Sequence, residues 1–177
     1  VPGQGRLIVN GADDELAQTL AMGCWTPVER FGRDAAAEWS VHARVADWSE
    51  LEVRQGGAPV GGVRWNLIGA HNAENALAAL LAARHAGVEP RVALEALAEF
   101  RNARRRMEVR GQVRGVTVYD DFAHHPTAIA RTVDGLRCRV GRARILAVLE
   151  PRSATMKLGV HKDTLAGSLE GADRVWF

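Results

Sequence analysis

Cysteine and net charge are both scarce in this sequence, and each scarcity removes a class of protein. The two cysteines, Cys24 and Cys138, stand far apart in 177 residues and form no CxxC. Neither a disulfide framework nor a thiolate metal pair is available, and a reducing compartment, by default the cytoplasm, is expected. The formal net charge is only +2, from 23 Lys plus Arg against 21 Asp plus Glu, too little to gather nucleic acid or an anionic membrane. No apolar run approaches the roughly 18 residues that span a bilayer, and residues 1–5 hold no charged stretch leading into an apolar one. Neither export nor a membrane partner is expected. A GxxxxGK[ST] loop is missing too, so the chain lacks the usual cradle for a triphosphate and is not by itself a complete P-loop enzyme.

What is present has the make-up of a soluble globular protein, 47% hydrophobic and 25% charged, long enough for one domain or two small ones. Residues 6–10 form a short apolar run closed by Asn10-Gly11, and residues 12–22 follow with helical spacing, acidic residues in the first turn and Gly23 just beyond the end. Strands are expected over 26–32, 40–48, 51–54 and 60–67, the last pair hinged on Gly56-Gly57-Ala58-Pro59. The alanine- and leucine-rich residues 72–85 read as a helix closed by Gly87, and Pro90 opens another that reaches about Phe100. The polar run 101–106 marks a domain boundary, giving domains 1–103 and 104–177. Beyond it come strands 107–113 and 116–119, a helix over 127–136, an apolar run 144–150 of the buried parallel-strand kind, a helix over 162–169 and a strand at 174–177. The fold class is therefore α/β, with a parallel or mixed sheet and helices. Both ends read as cut from a longer protein.

Four clusters could carry chemistry. In residues 69–75, GAHNAEN, Asn72 and Asn75 are three apart on one helical face and could hydrogen-bond a planar heterocycle such as adenine, since an amide offers a donor beside an acceptor. Asn72 could equally be a plain N-cap and Asn75 a solvated residue. Asp120-Asp121 and His124-His125-Pro126 follow a strand, where open α/β sheets place ligands, so an Asp could accept ribose hydroxyls; a solvated turn with Pro126 opening a helix is the alternative. The adjacent histidines point apart on an extended segment, which disfavours a shared metal. Arg104, Arg105 and Arg106 could grip phosphate or a nucleic-acid backbone, or form a solvated linker; without interleaved aromatics, no nucleic-acid partner is expected. Residues 150–159, EPRSATMKLG, read as a charged, hydroxyl-rich loop at a strand end.

In order, GAHNAENALAAL, RRME, YDDFAHHPTAI and EPRSATMKLG resemble the ATP-dependent Mur ligases of bacterial cell-wall synthesis. The resemblance implies the end of a central ATPase domain followed by the start of a Rossmann-like α/β C-terminal domain. The Asp-Asp-x-x-His-His-Pro form of residues 120–126 is similar to members acting on UDP-N-acetylmuramate, either adding L-alanine or attaching a recycled murein tripeptide. The alanine-adding members read Gln-Pro-His-Arg-Tyr-Ser-Arg-Thr where this chain has residues 150–157, and Met156 stands in place of an arginine thought to hold the amino acid. EPRSATMKLG instead resembles the tripeptide-attaching branch, apart from Ala154 in place of Asn.

The resemblance implies that ATP, with Mg2+, phosphorylates the lactyl carboxylate of UDP-N-acetylmuramate, and that the amine of L-alanyl-γ-D-glutamyl-meso-diaminopimelate attacks the acyl phosphate. His71, Asn72 and Asn75 are then assigned to the nucleotide, the two asparagines holding adenine. Asp121 would accept the ribose hydroxyls and Arg106 would reach the phosphates. His124 would lie near the attacking amine, and Arg152, Ser153, Thr155 and Lys157 would meet the acidic tripeptide. No metal ligand is assigned to this chain. Without the phosphate loop the isolated chain is expected to be inactive.

Overall fold

The structure, a computed structural model, describes residues 4–177. Val1, Pro2 and Gly3, on which the expectation of no leader partly rests, lie outside the described residues. The chain divides into two compact units, Val1–Phe100 and Arg101–Phe177.

The first unit is a five-stranded mixed sheet in the order β1 (Leu7–Asn10), β2 (Val28–Gly32), β3 (Trp39–Ala43), β4 (Glu50–Gln55), β5 (Ala58–Arg64). The β1–β2 and β2–β3 pairs are parallel, while β3–β4 and β4–β5 are antiparallel. Helix α1 (Asp14–Ala21) joins β1 to β2; Asp13 caps it by accepting the Leu16 N–H at 3.0 Å, so the acidic cluster begins one residue outside the helix. Two helices, α2 (Ala70–His85) and α3 (Pro90–Ala98), follow the sheet. Leu77, Leu80 and Leu81 of α2 and Leu94 of α3 pack with Trp39, Val41, Leu51 and Val53 into the core of this unit. At Gly61 an added Cβ would stand 2.7 Å from Leu94 Cδ1, so α3 approaches β5 where the side chain is missing. One charge enters this core: Glu29 is 1% exposed, and Arg84 Nη2 from the last turn of α2 donates to it at 2.5 Å.

The second unit opens with the antiparallel hairpin β6 (Glu108–Val113) and β7 (Val116–Asp120), turned through Arg114 and Gly115, both with positive φ. Helix α4 (Pro126–Val140) follows, longer at both ends than the sequence predicts, with Pro126 at its first turn. Strands β8 (Leu146–Val148) and β9 (Arg174–Trp176) are parallel, and α5 (Ala154–Lys157), α6 (Lys162–Leu165) and a 3₁₀ turn, Gly167–Leu169, make the crossover between them.

Three expectations are corrected here. The apolar run 144–150 does not form a strand buried on both faces: only three residues pair, and Leu146 and Val148 are 52% and 82% exposed. Alternation explains it, since Ala147 and Leu149 turn inward onto Ile129, Val133 and Met156 while their neighbours turn out. The helix expected over 162–169 breaks at Ala166 and Gly167, where the poor helix former Gly tightens the chain into the 3₁₀ turn. Residues 150–159 are not simply a loop, because Ser153 caps the short helix α5 and Met156 is buried.

Candidate functional site

In the first unit, α2 begins at Ala70 after Gly69, whose φ is +86° and which caps the helix without a side chain. Asn72 is therefore inside the helix and not its N-cap. Its Nδ2 donates back to the Ile68 carbonyl at 2.7 Å, which fixes the amide and leaves its Oδ1 to accept. Asn75, one turn later, is exposed. Between them Glu74 accepts from Arg33 Nε at 2.8 Å, tying the start of α2 to the end of β2. His71 is half-buried at the same helix start.

The second unit gathers more. Asp121, just past β7, accepts the Met107 N–H on Oδ2 at 2.8 Å and the Ala123 N–H on Oδ1 at 2.7 Å. Each oxygen keeps a lone pair for a further donor. Because Met107 is held this way, its neighbour Arg106 and Asp121 are brought together; the Arg106 guanidinium is exposed and forms no ion pair among the described residues. Arg105 instead stacks on Phe122, its Cζ 5.2 Å from the ring centre, and its Nε donates to Asp120 Oδ1 at 3.4 Å. The Arg105 backbone N–H, and after it the Arg110 guanidinium, hold the Glu108 carboxyl below its ordinary value.

The two histidines differ. His124 Nδ1 lies 3.0 Å from the Phe122 carbonyl, which can only accept, so Nδ1 carries the proton and Nε2 is left outward on an exposed ring. His125 caps α4, its Nδ1 accepting the Thr127 N–H at 3.3 Å. The His125 ring meets His161 edge to face at 4.6 Å between centres, which lays the segment after α5 against the start of α4. Met156 of α5 packs on Ile129 and Val133 of α4, which holds residues 152–157 against that helix. Arg152, Thr155 and Lys157 are exposed there, and Ser153 is half-buried as the cap of α5. Sequence reasoning missed Glu108 and His161. The first is the last letter of RRME and could have been weighed; nothing marks the second.

In the second unit Asp121 offers carboxylate oxygens as acceptors and Arg106 an exposed guanidinium, and in the first unit Asn72 and Asn75 offer amide groups. Among the described residues no three His, Cys, Asp or Glu side chains are grouped so as to hold a metal ion.

The chain belongs to the Mur ligase family, and residues 105–177 match the family described as Mur ligase, glutamate ligase domain. Within it, the chain is 55% identical over 177 residues to the UDP-N-acetylmuramate–L-alanyl-γ-D-glutamyl-meso-2,6-diaminoheptandioate ligase of Escherichia coli (strain K12), covering 99% of this chain and 38% of that protein. The ligase of the same name from Haemophilus influenzae is 48% identical over 177 residues, covering 99% of this chain and 39% of its own length. A crystal structure of a murein peptide ligase from Psychrobacter arcticus 273-4 superposes with a TM-score of 0.70 at 41% identity, over 99% of this chain and 37% of that one. The chain thus spans well under half the length of these relatives.

Proposed function

We propose that this chain works as part of a cytoplasmic ATP-dependent ligase that joins L-alanyl-γ-D-glutamyl-meso-diaminopimelate to UDP-N-acetylmuramate through an acyl phosphate, a step of peptidoglycan recycling. The observation that carries the reading is identity along almost the whole chain to ligases named for that tripeptide, with EPRSATMKLG as the stretch that separates it from L-alanine addition. Residues 1–103 would be the end of the central ATP-binding domain and 104–177 the start of the C-terminal domain.

In this reading Asn72 and Asn75, beside His71, hold adenine, Asp121 takes the ribose hydroxyls on its remaining lone pairs, and Arg106 neutralises phosphate charge. His124 offers Nε2 as the acceptor for the proton released when the amine attacks, which is the role its Nδ1 bond to Phe122 leaves open. Arg152 and Lys157 supply cations, and Ser153 and Thr155 hydroxyls, for a substrate rich in carboxylates. Met156 makes no such contribution, being packed in the core. Mg2+ would lower the charge of the triphosphate, and no ligand for it is assigned to this chain.

The test is product formation. A ligase of the relatives' length carrying this chain, given ATP, Mg2+, UDP-N-acetylmuramate and the tripeptide, should yield the amide-linked product by mass spectrometry, and the 177-residue chain alone should yield none. Absence of product from the longer protein overturns the reading; turnover by the chain alone overturns its assignment as a part.

A further inference from the structure

We infer that Glu108 is a positioning residue for Arg106, an inference that rests on the proposed role of Arg106 at the nucleotide phosphates. Arg106 stands between two residues in left-handed backbone conformation, Arg105 with φ +59° and Met107 with φ +49°. Non-glycine residues hold that conformation only where their surroundings over-determine it.

The surroundings here are specific. Glu108 Oε2 accepts the Arg105 N–H at 3.0 Å, and Asp121 Oδ2 accepts the Met107 N–H at 2.8 Å. The Arg105 carbonyl accepts the Phe122 N–H at 2.8 Å, and the Arg106 carbonyl accepts from Asn102 Nδ2 at 2.9 Å. The second oxygen of Glu108 accepts from Arg110 Nη1 at 3.0 Å, which orients the carboxylate so that Oε2 faces Arg105. A carboxylate therefore clasps the backbone on each side of Arg106, one from Glu108 and one from Asp121. The Arg106 side chain leaves this clasped turn exposed. A guanidinium delivered from a fixed backbone loses less freedom on meeting a phosphate than one on a loose loop. Glu108 touches no proposed substrate group itself; it acts through the turn.

The experiment compares E108A, E108Q, R106A and the double variant E108A/R105G in a ligase of the relatives' length, reading the KM for ATP, the KM for the tripeptide and amide exchange at Arg105. E108A should raise the KM for ATP about tenfold, the worth of roughly one hydrogen bond, leave the KM for the tripeptide unchanged and speed exchange at the Arg105 N–H. E108Q keeps an acceptor oxygen and should recover most of the loss. R105G should rescue E108A, because glycine adopts positive φ without the clasp. A wild-type KM for ATP in E108A, alongside a raised one in R106A, overturns the inference and leaves the nucleotide reading standing. An unchanged KM for ATP in R106A overturns the nucleotide reading, and this inference with it.

Discussion

His124 and His125 are adjacent yet present their ring nitrogens oppositely: His124 donates from Nδ1 to the Phe122 carbonyl at 3.0 Å, whereas His125 accepts on Nδ1 from the Thr127 N–H at 3.3 Å. The first keeps an outward basic nitrogen, and the second spends its own on capping α4. Their substitutions should therefore separate. His124→Ala should lower kcat by roughly 10²-fold, as loss of a positioned proton acceptor does, with little change in stability. His125→Ala should cost about 1 kcal/mol of stability through the lost cap. Steady-state kinetics and urea unfolding on the two variants check this.

The buried ion pair of the first unit should be costly to break. Glu29 is enclosed, Arg84 donates to it at 2.5 Å and Arg6 Nη1 remains 3.5 Å away. Arg84→Ala leaves the carboxylate with its weaker partner only, and about 3 kcal/mol should be lost, the low end for an orphaned buried charge. Adding Glu29→Gln should return part of it, which denaturant unfolding of the single and double variants measures.

Acid should weaken the second unit through Asp173. The Ile145 N–H, and then the Arg137 guanidinium, hold its carboxyl below the ordinary value of 3.8. The depressed value means the folded state favours the ionised form, so this contribution is present above the unfolded value and is lost as pH falls through the folded one. Arg137 also donates to the Gly141, Ala143 and Gly171 carbonyls, so the clamp joins the end of α4 to the segments before β8 and β9. Thermal scans from about pH 5 down to about pH 2 should show this stability lost as the pH falls below the ordinary carboxylate value, and Asp173→Asn should start lower and fall less steeply.

Met156 tests whether α5 is packing or recognition. It is 8% exposed and packs with Ile129, Val133 and Leu169. Met156→Ala should cost about 2–5 kcal/mol. Met156→Arg, which imitates the alanine-adding pattern, should destabilise the unit without conferring use of L-alanine, as activity assays at reduced temperature would show.

Much of this was legible in the sequence because local rules and tertiary packing agreed. The alanine- and leucine-rich α2, Pro126 at the start of α4 and the Arg114-Gly115 turn each follow from propensity or turn chemistry, and the structure keeps them. Where one residue could serve two masters, sequence alone did not choose. Asn72 has the composition of an N-cap, but Gly69 starts the helix three residues earlier and frees Asn72 to bond Ile68. The run 144–150 is apolar enough for a two-sided strand, yet its inward alternation alone finds partners in the core. Arg105 and Met107 carry no mark of left-handed backbone, because carboxylates brought in from Glu108 and Asp121 impose it. The His125–His161 contact depends on the whole crossover from α5 to α6 and leaves no trace in local pattern.

The most direct measurement is the kcat/KM of the longer ligase for two amines, L-alanyl-γ-D-glutamyl-meso-diaminopimelate and L-alanine, followed as phosphate release with ATP, Mg2+ and UDP-N-acetylmuramate. The account predicts turnover with the tripeptide and none above background with L-alanine. Efficient turnover with L-alanine would contradict it and return residues 150–159 to the status of an ordinary surface segment.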